Sequence, residues 1–280
     1  MAAPKVHVVE PASTQALEFV FGTVGFDLKD IRRGSDLVPA IYVSSLPGDL
    51  GFIDEVDRKK RLFFSAVLPL VLSANERVLR DRARLTRLRE RVLDGAGLQD
   101  SEKDWLFRLA DRYGVTSAED IDRSLLDVLN RRVDVVPVSL ALAQAAVESG
   151  WGSSRFARHG NALFGQRAWS DDHGIVPKER TDDEGHVVRA YDTLMGSVSS
   201  YIHNLNTHPS YSDFRRARES MRENGERLDG KRLAGGLLAY AEIGERYVEI
   251  LRLVIEKNRL TELDDALLRR NLLTASNQTG

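Results

Sequence analysis

The stretch Val138-Ser-Leu-Ala-Leu-Ala-Gln-Ala-Ala-Val-Glu148-Ser-Gly-Trp-Gly152 decides how this chain is read. A run of apolar and small residues carries a single charge, Glu148. Ala141, Ala143, Ala145 and Ala146 make a thin rod that neighbours can approach closely. Pro137 suits the first position of a helix, because its missing N–H would have no partner there anyway. Gly150 falls just past the periodic region, where a left-handed cap residue belongs. The pattern predicts a buried helix with Glu148 in its last turn, beside Trp151. Burial withdraws water from a carboxylate and raises its pKa, and the partial negative charge of a helix C-terminus acts in the same direction. Such a glutamate is suited to hold a proton at neutral pH and deliver it. The plainer reading is a glutamate that is solvated or paired with an arginine. A charge inside an apolar run costs free energy unless it is used or paired.

Around this helix the 280 residues have ordinary globular composition, 42% hydrophobic and 29% charged, enough for one large or two small cores. A formal net charge of −2 gives no field drawing the chain to nucleic acid, so no nucleic-acid partner is expected. The absence of cysteine excludes disulfides, thiolate metal sites and cysteine nucleophiles. Met1-Ala-Ala-Pro-Lys has no apolar core and does not read as a secretory signal. The longest apolar run, residues 62–74, is about half the ~20 residues a bilayer span requires and contains Pro69, so a buried core helix, kinked or broken near the proline, is expected, with no transmembrane segment. Nothing in the sequence specifies an oligomeric state.

Four regions follow along the chain. Residues 1–56 form an N-terminal extension of mixed structure, with β-like pieces at 5–9 and 40–43. Residues 57–130 read as a helical region packing on the domain that follows. In it the arginines between 77 and 91 alternate with Glu76, Asp81 and Glu90, as on a solvated amphipathic face. Ser101 begins a capping pattern and Ser117 is a candidate cap for a helix over 116–130. Residues 131–260 carry the Glu148 helix, then a segment of turns and short strands in which 174–179 and 186–191 pair across a turn at 182–185. Helix returns at 194–206, 233–240 and from 244 to about 268. Residues 261–280 are the end of that helix and a tail, with 274–280 expected to be disordered.

The block Ala143-Gln-Ala-Ala-Val-Glu-Ser-Gly-Trp-Gly152, followed by Asn161-Ala-Leu-Phe-Gly165, resembles the bacterial glucosaminidase family, glycoside hydrolase family 73. Arg189-Ala-Tyr-Asp192 and Asn204-Leu-Asn-Thr-His-Pro-Ser-Tyr211 are similar to its Bax-like branch, as is Arg58-Lys-Lys-Arg-Leu-Phe-Phe64 upstream. The resemblance implies an α+β, predominantly helical fold: a lysozyme-like catalytic domain with a small β lobe, extended at the N-terminus by helical structure. It implies a peptidoglycan hydrolase, an endo-β-N-acetylglucosaminidase cutting the β-1,4 bond after N-acetylglucosamine in glycan strands, in the periplasm or cell envelope. Glu148 then corresponds to the general acid. Tyr240 and Tyr247 fall where the family places a functional tyrosine. The second acidic group would come from Glu179, Asp182, Asp183 or Glu184, with Glu179 favoured because a strand holds a side chain better than a turn.

Breaking a glycosidic bond requires a proton on the leaving oxygen while positive charge grows at the anomeric carbon. A second carboxylate can act there, or the N-acetyl oxygen of the substrate can attack in its place. Trp151, Phe164, Trp169 and Tyr191 are candidate sugar-stacking rings, each with core packing as the alternative; Asn161 is either a turn residue or a sugar hydrogen-bonder. His159, His173, His186, His203 and His208 lack the spacing of a metal motif, so neither metal nor cofactor is expected. Two further readings share these residues: a lytic transglycosylase, in which the sugar's own hydroxyl replaces water, and a catalytically silent glycan-binding scaffold.

Overall fold

The structure, a computed structural model, describes residues 7–115, 120–168, 174–175 and 187–269. Its elements run β1 (His7–Val9), α1 (Thr14–Thr23), α2 (Leu28–Arg32), β2 (Val38–Pro39), β3 (Ile41–Val43), α3 (Val56–Leu93), α4 (Asp100–Arg112), α5 (Arg123–Arg132), α6 (Val138–Ser149) and α7 (Arg155–Gly160). Then come β4 (Arg167–Ala168), β5 (Gly174–Ile175), β6 (Val187–Arg189), α8 (Leu194–Thr207), α9 (Ser212–Glu223), α10 (Gly230–Leu233), α11 (Glu245–Lys257) and β7 (Leu268–Arg269). The class is α+β and predominantly helical, as expected.

Of the kink or break expected near Pro69, a break does not occur. α3 is one element of 38 residues with the proline inside it. An interior proline removes one hydrogen bond and crowds the carbonyl a turn earlier. Here that cost falls where packing is densest: Phe63, Phe64, Ala66, Val67, Leu68, Leu70 and Val71 are at most 2% exposed. By length and composition α3 could cross a bilayer, but 78% of its most apolar window is buried inside the protein.

The chain divides into two compact units, each assembled from separated stretches. The first comprises residues 1–73, 138–201 and 254–280. At its centre lies α6, of which Val138 to Ala146 and Ser149 are buried. The N-terminus of α6 is capped from far along the chain: the Ser139 amide and hydroxyl donate to Asp264 at 2.7 and 2.9 Å. β1 and β3 pair in parallel, and so do β2 and β7, where Val38 faces Leu268. Arg269 closes the second pair by donating to both carboxylate oxygens of Asp36 at 2.6 Å. β4, β6 and β5 form an antiparallel sheet in that order, with Gly174 opposite Arg189, which is the pairing read from the sequence. The turn at 182–185, and the tail at 274–280, lie outside the described residues.

The second unit comprises residues 74–137 and 202–253. Its node is Asp134, 2% exposed. The carboxylate accepts from Arg222 at 3.0 and 3.1 Å and lies 3.6 Å from Arg82 and 3.9 Å from Arg218. Arg218, 1% exposed, donates to the carbonyls of Arg131, Asp134 and Val135. Arg82 donates to the carbonyls of Asn130 and Val133, Arg89 pairs with Asp127, and Arg91 with Glu102. The arginine run read as a solvated face is thus in part a clamp on α4 and α5. Other boundaries also differ from expectation. Gln99 and Glu102, rather than Ser101, form the capping box of α4, and Asp122 caps α5; Ser117 is outside the described residues. α11 ends at Lys257, because Arg259 turns left-handed at φ 51° before the strand β7.

Burial alone would raise the Asp134 carboxyl, but Arg218, Arg222 and Arg82 outweigh it and hold the pKa below the ordinary 3.8. A depressed folded-state pKa stabilises the fold above the unfolded value, and that stabilisation is lost as pH falls through the folded one. Asp134→Ala is expected to cost about 3–5 kcal/mol at neutral pH, because it strands buried Arg218 without its counter-charge. Denaturant melts at pH 7 and below pH 4 check this: the gap between the two proteins should narrow in acid, and a gap independent of pH would refute the account.

Candidate functional site

The end of α6 is built by residues that tolerate an unusual backbone. Gly150, Trp151 and Gly152 have positive φ, at 56°, 60° and 77°. For tryptophan this conformation is costly, by about 1–3 kcal/mol. The turn is held by several bonds: the Trp151 amide donates to the Ala146 carbonyl at 2.8 Å, the Ser154 amide to Ser149 at 2.9 Å, and the Gly152 amide to the Ser149 hydroxyl at 2.9 Å. Ser149 in turn donates to the Ala145 carbonyl. Glycine suits position 152, since a Cβ there would stand 2.6 Å from Leu46 Cδ1 and 3.0 Å from Leu50 Cδ2, at a φ that side chains rarely adopt. The N-terminal segment therefore buttresses this turn directly.

The strained backbone aims Trp151 at α3. Its ring meets Phe64 and Phe63 edge-on, with centroids 5.3 and 6.0 Å away, and the Lys60 ammonium lies 4.9 Å over it. Trp151 stays half-buried. Glu148 is also half-buried, on the last turn of α6 as the sequence pattern required. Beside it passes Gly165, φ 59°, so close that a Cβ would stand 3.3 Å from Glu148 Oε2. The glycine closing the Asn161–Gly165 motif thus keeps the flank of the carboxylate free of a side chain.

Polar contacts to three neighbouring segments fix that motif. Asn161 is left-handed (φ 51°) and donates through its side-chain amide to the carbonyls of Tyr191 and Asp192, both at 3.1 Å. The Leu163 amide donates to the Ser197 hydroxyl at 3.1 Å. The Tyr191 hydroxyl donates to Gln166 Oε1 and accepts from the Ser200 hydroxyl, and burial pushes its pKa up. Phe164 is 1% exposed and stacks on Tyr201 at 3.8 Å. Tyr201 donates to Gln144 Oε1 at 2.6 Å, which returns the chain of contacts to α6 one turn before Glu148.

These positions correct several expectations. Phe164 is core, with no face for a sugar. Asn161 is the turn residue of its two readings, its amide spent on carbonyls. The hydroxyl of Tyr191 is engaged in the frame of the loop. Trp169 and Glu179 lie outside the described residues, as do Asp182, Asp183 and Glu184. Gln144, Ser149, Gly165 and Tyr201 belong to the site's support and were missed. Gln144 left a signal, since a second polar residue inside an apolar helix needs a partner.

Tyr240 and Tyr247 belong to the second unit. Their rings stack in parallel 5.5 Å apart, and Tyr211 adds a third ring 5.8 Å from Tyr240. Tyr247 is 2% exposed, while Tyr240, ending a 3-10 segment, is half-buried. Gly236 seats that segment: a Cβ there would fall 2.4 Å from Phe214 Cα. Among the described residues no group of three or more His, Asp or Glu side chains is placed to hold a metal ion.

Comparison with known proteins bears on this geometry. Residues 124–260 match the glucosaminidase family model, described as mannosyl-glycoprotein endo-β-N-acetylglucosaminidase. The chain is 31% identical over 219 residues to "Protein bax" of Escherichia coli (strain K12), covering 77% of this chain and 75% of that one. The catalytic domain of the autolysin Auto from Listeria monocytogenes aligns with 64% of this chain and 97% of its own, at 20% identity and a TM-score of 0.37.

Gly165→Ala tests the flank of Glu148. Its added methyl and strained φ are expected to displace the carboxylate and cut turnover of purified cell-wall sacculi by about tenfold to 10²-fold. Unchanged turnover in a folded variant would mean that the spacing between this backbone and the carboxylate does not matter.

Proposed function

The chain belongs to the glucosaminidase family, and from that premise we propose that it is a peptidoglycan hydrolase, an endo-β-N-acetylglucosaminidase that cuts the β-1,4 bond after N-acetylglucosamine with Glu148 as general acid. The observation that carries the reading is the placement of one half-buried carboxyl on the last turn of a buried helix, flanked by a glycine backbone. A glycosidic oxygen approaching that side chain takes its proton, and the C–O bond to the departing sugar breaks as the anomeric carbon gains positive charge. The turn of residues 149–154 and the loop of residues 161–166 are each held by hydrogen bonds of their own, which fixes the backbone on both sides of the acid.

Stabilising the cation falls either to a second carboxylate, for which Glu179 is the favoured candidate, or to the substrate's own N-acetyl oxygen, with a tyrosine orienting that group. Between the two tyrosines, exposure favours Tyr240, because Tyr247 is sealed beneath it. Half-exposed Trp151 is the described ring best suited to meet a sugar, with Trp169 as a further candidate. A substrate of this class lies outside the inner membrane, so the site of action is the cell envelope.

Glu148→Gln keeps shape and removes the proton. It is expected to lower release of sugar products from purified sacculi by about 10²–10⁴-fold while the melting temperature stays within a few degrees. Mass spectrometry of the wild-type products should find reducing-end N-acetylglucosamine. Anhydro sugars would instead identify a lytic transglycosylase, and undiminished lysis by the variant would remove Glu148 from its role.

Tyr240→Phe is expected to lose more turnover per folded molecule than Tyr247→Phe, whose cost should appear mainly in stability. The reverse order, read from kcat and melting temperature together, would transfer the role to Tyr247.

A further inference from the structure

A pocket of about 170 Å³ in the second unit is lined by Val128, Arg131, Arg132, Ser212, Arg215 and Arg216. Two of its four guanidiniums are neutralised: Arg131 by Glu219 and Arg216 by Asp213. Asp127, the other carboxylate on this stretch of α5, is engaged by Arg89 and Arg123. Arg132 and Arg215 have no carboxylate partner among the described residues. Each uses a single nitrogen, Nη1, to close a helix end. Arg132 donates to the carbonyls of Tyr113 and Gly114, and Arg215 to those of Leu205 and His208. The Nε–Nη2 edge of each makes no hydrogen bond among the described residues, yet none of these nitrogens is sealed from solvent.

Arg215 is 5% exposed, and beside burial the neighbouring Arg132, Arg131 and Arg216 lower its pKa to about 10. Capping a carbonyl requires one donor, which a lysine supplies. Both residues line the pocket, and the Nε–Nη2 edge of a guanidinium is the fork that binds an oxyanion bidentately.

We propose that this pocket binds an oxyanion, seating the carboxylate or phosphate group of a ligand on the open edges of Arg132 and Arg215. Both groups present the paired oxygens that such an edge matches, and the like charges around the pocket favour an anion there.

The test uses the full chain, titrated with inorganic phosphate and with glutarate against sodium chloride of matched ionic strength, and read by melting temperature and calorimetry. Saturable binding of one or both anions over chloride is expected. Phosphate binding identifies a phosphorylated ligand, and glutarate binding a peptide-type carboxylate. The double variant R132K/R215K keeps both charges and both caps, and should weaken binding about tenfold or more. R33A, which removes an exposed arginine of the first unit, should bind like the wild type. If the double variant does not fold, S212D supplies a second route. It places a carboxylate on the pocket wall in the first turn of α9, where a negative charge suits the helix, and should abolish the response to added anion. No saturable binding over chloride, or wild-type binding by either R132K/R215K or S212D, would overturn the proposal. Because the readout is binding, its outcome is independent of whether Glu148 is the acid.

Discussion

A helix that ends inside a protein leaves carbonyls that need donors, and this chain meets that constraint mainly with arginine. Arg82 and Arg218 close α5, Arg132 closes α4, Arg215 closes α8 and Arg32 reaches the carbonyls of Asn258 and Arg259 after α11. A guanidinium suits this work because one group reaches two carbonyls and a carboxylate in one plane. Around Asp134 the arrangement becomes self-supporting: the arginines that close the helix are held by the carboxylate that follows it. Burying so much charge stabilises only while every member is present.

The end of α6 is closed by different means. Ser149 and the amides of a left-handed turn serve its carbonyls, and Gly152 and Gly165 let backbone come where side chains would collide. A compact, strained turn of this kind leaves the space around a carboxyl defined by backbone, which does not change rotamer. The strain carried by Trp151 is offset by its contacts with Phe63 and Phe64. Strain at the acid and rigidity beneath it are parts of one arrangement.

The helix with Glu148 was legible because an apolar run with one charge and a terminal glycine has few alternatives. The pairing of β5 with β6 was legible because turn residues sit between them. Five features were not. The continuity of α3 through Pro69 depends on burial, which outweighs a local propensity. The cap on α6 comes from Asp264, and the pairing of β2 with β7 joins segments near opposite ends of the described chain; local pattern carries no trace of either. Phe164 reads from sequence as either a sugar-stacking ring or core, and its burial and stacking on Tyr201 decide for core. The arginines of α3 have the spacing of a solvated face, since a clamp on a neighbouring carbonyl and a hydrated side chain have the same period.

The distant cap on α6 also sets an order of events during synthesis. The helix bearing Glu148 is complete in sequence at residue 149, but its first turn has no side-chain cap until Asp264 has left the ribosome, and β2 has no partner strand until Leu268 follows. Contacts so widely separated form late and slowly. The nascent chain therefore carries its acid on an unfinished scaffold, and the first unit reaches its final form only once residues through Leu268 have been made.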